Sequence, residues 1–155
     1  MSVLFLLIVF LHVATMFTAV ALAYGGVLFF LIALRSGNVP GLISMASGSQ
    51  AVERVIPVLF LSGGVFGLLA AINGGFNLLA PWLLIAYALF IGLTVIGARF
   101  TGPSIKKMGE LVAATPNGPL SPEAIALRQR FYRTEVLDFL LLFLIIFDMV
   151  VKPFG

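Results

Sequence analysis

Residues 3–34, VLFLLIVFLHVATMFTAVALAYGGVLFFLIAL, form the longest apolar stretch of the chain and decide its fold class. A helix needs roughly 20 apolar residues to cross the ~30 Å hydrocarbon core of a bilayer. At the helical rise these residues extend about 48 Å. We therefore predict a membrane-spanning helix that tilts, kinks near Gly25 and Gly26, or projects from the membrane.

Composition extends this prediction to the whole chain. Of 155 residues, 61% are hydrophobic and 10% are charged, against about 25% charged residues in soluble domains. We predict one all-α domain over 1–155, a polytopic membrane protein with four transmembrane helices in an antiparallel bundle. The spans are placed at 3–34, 55–72, 78–98 and 122–152, with 134–152 the lipid-embedded part of the last.

The connecting segments are predicted from their turn residues and helix breakers. Arg35 to Arg54 is rich in Gly, Ser and Asn and is predicted to be a loop. A short cytoplasmic surface helix is predicted over Ser104 to Ala114, ended by the Thr115 to Pro119 segment. Ser121-Pro122-Glu123 is typical of a helix start.

Basic residues predict the orientation. Cytoplasmic loops of membrane proteins carry an excess of Lys and Arg, and these residues concentrate in Arg35–Arg54 and Arg99–Thr134. Both segments are therefore expected to be cytoplasmic, with both termini periplasmic in a bacterial cytoplasmic membrane. Because the basic residues flank apolar spans, they do not indicate nucleic-acid binding.

His12 is the only histidine and lies about nine residues into the first span. A polar side chain at that depth is expected to face other helices. It shares a helical face with Thr15, Ala19 and Ala23, small residues that favour close helix packing. Two interpretations stay open: an interhelical hydrogen bond, or a role as haem ligand, quinone-site donor or proton relay. A second axial ligand would come from Met16, another copy or a partner protein.

Asp148 and Lys152 are four residues apart in the last span. That spacing favours an ion pair on one helix face. Alternatively, Asp148 orients His12, as carboxylates often orient functional imidazoles. Both residues are predicted to lie in the outer half of the membrane.

Asp138 is predicted to form an interfacial ion pair at the inner end of the last span, where arginines end the spans. The other charges of this side are expected to face solvent or lipid head groups: Glu53, Arg54, Arg128, Arg130, Arg133 and Glu135.

Small residues recur at four-residue spacing in the second and third spans: Gly63, Gly67, Ala71, Ala88 and Gly92. Such stripes let helix backbones approach closely. They are expected to pack within the bundle, against another subunit, or against a flat pigment.

Motifs that would name a reaction are absent from the sequence. The chain has no cysteine, which excludes disulfides and thiolate catalysis, and no HExxH, GxSxG or Walker A motif. No pair of carboxylates is recognisable inside a span. We therefore favour a non-catalytic accessory or structural subunit of a larger membrane complex, respiratory or photosynthetic, or a homo-oligomer. The alternative is a b-type haem protein that uses His12 for electron transfer, and a transporter ranks third.

Short motifs add a resemblance to known families. They are Leu11-His12-Val13, Gly25-Gly26, Ala80-Pro81-Trp82-Leu83 and the final Met149-Val150-Val151-Lys152-Pro153. Together they resemble a family of small bacterial four-helix integral membrane proteins of unknown function. The first span is more distantly similar to copper-resistance D-type proteins and to the membrane-bound, haem-binding protoporphyrinogen oxidase group. Those families usually place a Trp where this chain has Tyr24, and the similarity implies a haem or metal role.

Overall fold

The computed structural model describes residues 2–52, 54–114 and 119–153, and the secondary structure within these ranges is entirely helical. The all-α prediction is therefore confirmed. The elements are α1 (Val3–Ser36), α2 (Val39–Val52), α3 (Val55–Asn73), α4 (Pro81–Ile96), a π-helical segment (Gly97–Thr101), α5 (Gly102–Ala113) and α6 (Pro122–Val151).

Helix ends follow the local sequence. The N-cap Ser121 accepts a hydrogen bond from the Ala124 N–H, and Pro122 occupies the first turn of α6, as predicted. At the other end of the chain, α1 stops at Gly37, whose φ of 66° is the left-handed conformation that glycine adopts without strain. The helix of the predicted third span, α4, begins at Pro81 and not at Leu78, because the Asn77 side chain accepts from the Leu79 N–H and holds a turn.

Two antiparallel helix pairs organise the long helices of the bundle. In the first, α1 and α3 contact each other from Phe5 beside Gly74 to Met16 beside Gly63. In the second, α4 packs against α6, where Leu141 lies beside Gly92. Aromatic contacts join the pairs, with ring centroids 4.8 Å apart for Tyr24–Phe139 and 5.4 Å apart for Phe30–Phe131. The contacts between α1 and α6 also run antiparallel, as the sequence predicts.

The loop prediction for Arg35 to Arg54 is wrong, because residues 39–52 form α2. Its glycines and serines obscured apolar residues at the helical spacing i, i+3, i+4 and i+7, namely Val39, Leu42, Ile43 and Ala46. Leu42 and Ala46 are buried, and Ala46 lies directly on Gly109 of α5. The α2–α5 layer covers the end of the two pairs where α6 begins, with Phe30, Met108 and Phe131 in the shared core.

The predicted separate surface helix is instead the last part of one continuous helix over Pro81–Ala113. The π-helical turn allows this continuity. In a regular α-helix the Pro103 ring would clash with the carbonyl of Arg99, and the wider turn just before Pro103, where the Gly102 N–H donates to the Gly97 carbonyl, relieves that clash. A position of α5 at the membrane surface stays a prediction, and residues 115–118 of the predicted break lie outside the described residues.

Among the described residues, three helices are long and apolar enough to cross a membrane: Val3–Ser36, Val55–Asn73 and Pro81–Ala113. In α1 the most apolar window has a mean hydropathy of 2.5 and only 6% of its residues are buried. Such an apolar surface, left uncovered by the rest of the chain, suits contact with lipid. The prediction of four spans is confirmed for these three only. Every 18-residue stretch of α6 holds at least three charged residues, so its composition alone does not mark a span.

Candidate functional site

His12 lies at the contact between α1 and α3. Its Nδ1 is 2.7 Å from the Gly63 carbonyl oxygen. A carbonyl oxygen only accepts, so Nδ1 donates and holds the ring proton. The imidazole lies against Gly67, where an added Cβ would stand 2.8 Å from Cε1. The structure thus places His12 in an interhelical hydrogen bond.

The neighbours of His12 on α1 serve the same packing. The Thr15 hydroxyl donates to the Leu11 carbonyl of its own helix at 2.7 Å. Met16 lies against Gly63 of α3, and Ala19 is completely buried. Further along, Ala23 packs on the cluster formed by Tyr24, Leu93 and Leu142. This face of α1 is therefore covered by other helices of the same chain.

The small residues of α3 and α4 are used mostly inside the chain as well. Gly63 and Ala71 are buried, Gly67 receives the imidazole, and Gly92 faces Leu141 of α6. Ala88 differs, because it is exposed on α4. Most of these close approaches thus hold this bundle together.

Asp148 and Lys152 do not form the predicted ion pair. Lys152 has a φ of 49° and ends α6, so its side chain leaves the helical path that an i, i+4 pair needs. Its ammonium lies 4.8 Å from the Phe76 ring centroid and 5.2 Å from that of Trp82. Asp148 is buried and neither of its carboxylate oxygens has a hydrogen-bond partner, so it does not hydrogen-bond to His12 either.

Glu135 departs from its predicted place among solvent-facing charges. Its side chain is 2% exposed. The Thr101 hydroxyl, at the end of the π-helical segment, donates to Glu135 Oε1 at 2.7 Å, while Oε2 has no partner. An acidic side chain is thus held inside the bundle by one neutral donor.

Asp138 lies one turn further along α6 and is 7% exposed. The predicted ion pair with an arginine does not form. Instead the Tyr24 hydroxyl of α1 lies close to the Asp138 carboxylate and interacts with it, and Oδ1 has no partner. Glu135 and Asp138 are therefore two neighbouring buried carboxylates, a pair that the sequence alone did not reveal.

Periodicity was the signal that could have found this pair. The buried positions of α6 recur at three- and four-residue steps, from Phe131 through Glu135 and Asp138 to Leu142. The two acids continue an apolar stripe that faces the core. Position on the helix face, and not distance from the helix end, predicts their burial.

Beside Asp138 lies a partly open cavity of about 830 Å³. Every helix contributes to its wall, and apolar side chains dominate it, including Val27, Phe30, Phe60 and Leu93. The polar side chains in the wall are few, among them Asp138 and Lys106. A mostly apolar cavity of this size with a few convergent polar groups is typical of a small-molecule site.

Asp138, in the cavity wall, and Glu135, one turn before it on α6, have no cationic partner in the described part of the chain. The ion pair found within residues 2–52, 54–114 and 119–153 joins Lys107 and Glu123 at 2.6 Å on the surface. Lys106 lies in the cavity wall but makes no ion pair with Asp138. No group of three or more metal-ligating side chains occurs in these ranges. The site is thus an apolar cavity with an unpaired carboxylate in its wall.

Residues 6–153 match the model of a family described as "Predicted integral membrane protein (DUF2269)". The chain belongs to this family. The assignment confirms the resemblance to an uncharacterised family of membrane proteins. No curated protein and no solved structure matches the chain. The distant similarity to copper-resistance and haem-binding proteins stays a hypothesis, and the family description assigns no reaction.

Proposed function

We propose that this protein is a non-catalytic membrane protein that binds a small, mostly apolar molecule in the cavity beside Asp138. One observation carries the proposal: a buried carboxylate without an ion pair, with a free oxygen, lies in the wall of an apolar cavity of about 830 Å³. Ionisable residues inside membrane helices are costly, and they mark functional sites by default.

Energetics support a ligand at this place. A buried carboxylate without compensation costs several kcal/mol, and a leucine of similar volume would remove that cost. Thr101 and Tyr24 offset part of it through their hydroxyls. Asp138, the carboxylate in the cavity wall, still has one oxygen, Oδ1, without a hydrogen-bond partner.

Two adjacent glycines of α1 provide a test with a matched control. Gly26 lines the cavity, Gly25 does not, and a Cβ at either would meet nothing within 4 Å. Native mass spectrometry of the purified protein should reveal a co-purifying small molecule. Gly26→Phe is expected to fill the cavity and lose it, whereas Gly25→Phe retains it. An equal mass spectrum for the two variants would contradict the proposal.

The proposal includes four spans, with α6 as the fourth and the cavity in the cytoplasmic half. Three apolar spans, the length of α6 and its antiparallel contacts with α1 and α4 support this arrangement. Because the chain lacks cysteine, single cysteines can report topology through an impermeant maleimide. Glu110→Cys should react only after permeabilisation, and a cysteine added after Gly155 should react in intact cells. Reaction of both from the same side would exclude α6 as a span.

A second proposal keeps the role of accessory subunit or homo-oligomer. The exposed Ala88 on α4 supports it, as a small residue left free for another helix. Blue-native electrophoresis of gently solubilised native membranes should show a larger assembly, and Ala88→Leu should weaken it. Migration of the wild-type chain as a monomer would exclude this role.

The haem alternative has weaker support, because His12 already donates from Nδ1 to α3 and its ring is packed against Gly67. We expect no Soret band after expression with added haem. A band that disappears in His12→Ala would overturn this expectation.

A further inference from the structure

The polar side chains around Asp138 share one property: none of them has a free hydrogen-bond donor. The Thr101 hydroxyl already donates to Glu135, and the Tyr24 hydroxyl is directed at Asp138. Glu135 Oε2 and Asp138 Oδ1 are buried acceptors without partners. A carboxylate oxygen accepts and, when ionised, cannot donate. A ligand that satisfies this end of the cavity must therefore bring the donor.

Charge selects among donors. Glu135 and Asp138 are one helical turn apart and both are buried. Within the described ranges neither carboxylate has an ion pair. With Asp138 ionised, an alcohol would supply a hydrogen bond but leave the negative charge unbalanced, and an anion would be repelled. A cation that carries N–H donors satisfies both requirements, because charge-assisted hydrogen bonds are about twice as strong as neutral ones.

The apolar side chains of the cavity wall determine the chemistry of the rest of the ligand. Phe30, Phe60 and Leu93 make that part of the cavity apolar. An inorganic cation would leave this apolar volume without a partner. An alkyl or aryl group would fill it and bury its own apolar surface against these side chains.

We propose, building on the proposed function, that the bound molecule is a lipophilic amine whose ammonium group donates to the Asp138 carboxylate. Its apolar body lies against Phe30, Phe60 and Leu93. Lys106 also lines the cavity, but it is exposed and makes no ion pair with Asp138. The ionised carboxylate of Asp138 thus makes the site selective for cationic over neutral or anionic amphiphiles.

A matched set of photoreactive probes tests the selectivity. Dodecylamine, dodecanol and dodecanoic acid, each with the same diazirine, are added to the full chain in nanodiscs, and cross-links are mapped by mass spectrometry. We expect saturable labelling of cavity residues by the amine, about tenfold or more above the alcohol, since a hydrogen bond to a charged group contributes at least that factor. Asp138→Asn should abolish the preference, and Glu110→Gln, which alters an exposed acid on α5, should retain it.

The outcomes separate the two proposals. Equal labelling by the three probes, or preference for the acid, overturns the amine inference but retains the proposed function, because the cavity still binds a molecule. Absence of saturable cavity labelling by any probe overturns the proposed function as well. If Asp138→Asn fails to fold, the comparison of the three probes on the wild-type chain still decides, because it needs no variant.

Discussion

The α1–α3 contact and the cavity beside α6 both contain a polar side chain on an apolar helix, yet they differ in how that side chain is satisfied. His12 has an acceptor at 2.7 Å on the neighbouring helix and a glycine that makes room for its ring. Asp138 has a free oxygen and an apolar cavity beside it. Of these two side chains, His12 is held by its partner on α3 and serves packing, whereas Asp138, with a free oxygen beside a cavity, is the candidate ligand site.

The largest expected effect on stability is at the α1–α3 contact. Gly67→Leu places a side chain where the imidazole lies, since even a Cβ would be 2.8 Å from the ring. We expect a loss of about 3 kcal/mol or more, at the upper end for overpacked cores. Thermal unfolding in detergent, followed by circular dichroism, measures it.

Gly25→Leu is the control for that substitution, because a Cβ at Gly25 meets nothing within 4 Å. It should leave the unfolding temperature unchanged or slightly raise it, as leucine favours helix more than glycine does. Equal destabilisation by both variants would show that the α1–α3 contact is not specific.

A smaller loss is expected at the donor to Glu135. Thr101→Val removes the hydroxyl and leaves both oxygens of a buried carboxylate without partners, at a cost of about 1–3 kcal/mol. Thr18→Val is the control, because the exposed Thr18 hydroxyl bonds only to the Ala14 carbonyl of its own helix. The difference in unfolding temperature between the two variants measures the contribution of the Thr101–Glu135 bond. No difference would mean that Glu135 is satisfied without Thr101.

The sign should reverse at Asp138. Asp138→Asn replaces a buried carboxylate that has no ion pair by a neutral group of the same shape. We expect a gain of about 1 kcal/mol in the ligand-free protein, or an unfolding temperature higher by about 2–4 °C. The same variant should lose amine binding, so stability and binding change in opposite directions. A clear drop in unfolding temperature would show that the carboxylate is already compensated.

The sequence predicts the long helices well because length and caps determine them locally. Apolar runs identify α1 and α3, and Ser121-Pro122 identifies the start of α6. It failed for α2, where glycine and serine concealed an apolar face. The predicted fourth span, α6, is not marked as a span by its composition alone, because its acidic residues lie on the helix face that packs into the core.

The candidate site could be predicted only in part, since it depends on which helices meet. The burial of Glu135 and Asp138 follows from the stripe that they share with Phe131 and Leu142. The donors Tyr24 and Thr101 come from α1 and from the π-helical segment, far away in the chain. No local pattern relates them to α6. Likewise, the depth of His12 indicated an inward position but not that Gly63 would be its acceptor.

The smallest effect on stability is expected at the surface, where water solvates the charged side chains. Lys107 and Glu123 lie 2.6 Å apart, but both side chains are more than half exposed, at 54% and 59%. Lys107→Met should therefore change the free energy of unfolding by no more than about 1 kcal/mol, and less at high salt. A double-mutant cycle with Glu123→Gln, measured at low and high salt, isolates the pair. A coupling energy of this pair as large as the stability loss in Thr101→Val would contradict this expectation. Exposure to water would then not weaken the surface pair relative to the buried carboxylates, and the contrast between satisfied and unsatisfied charges would fail.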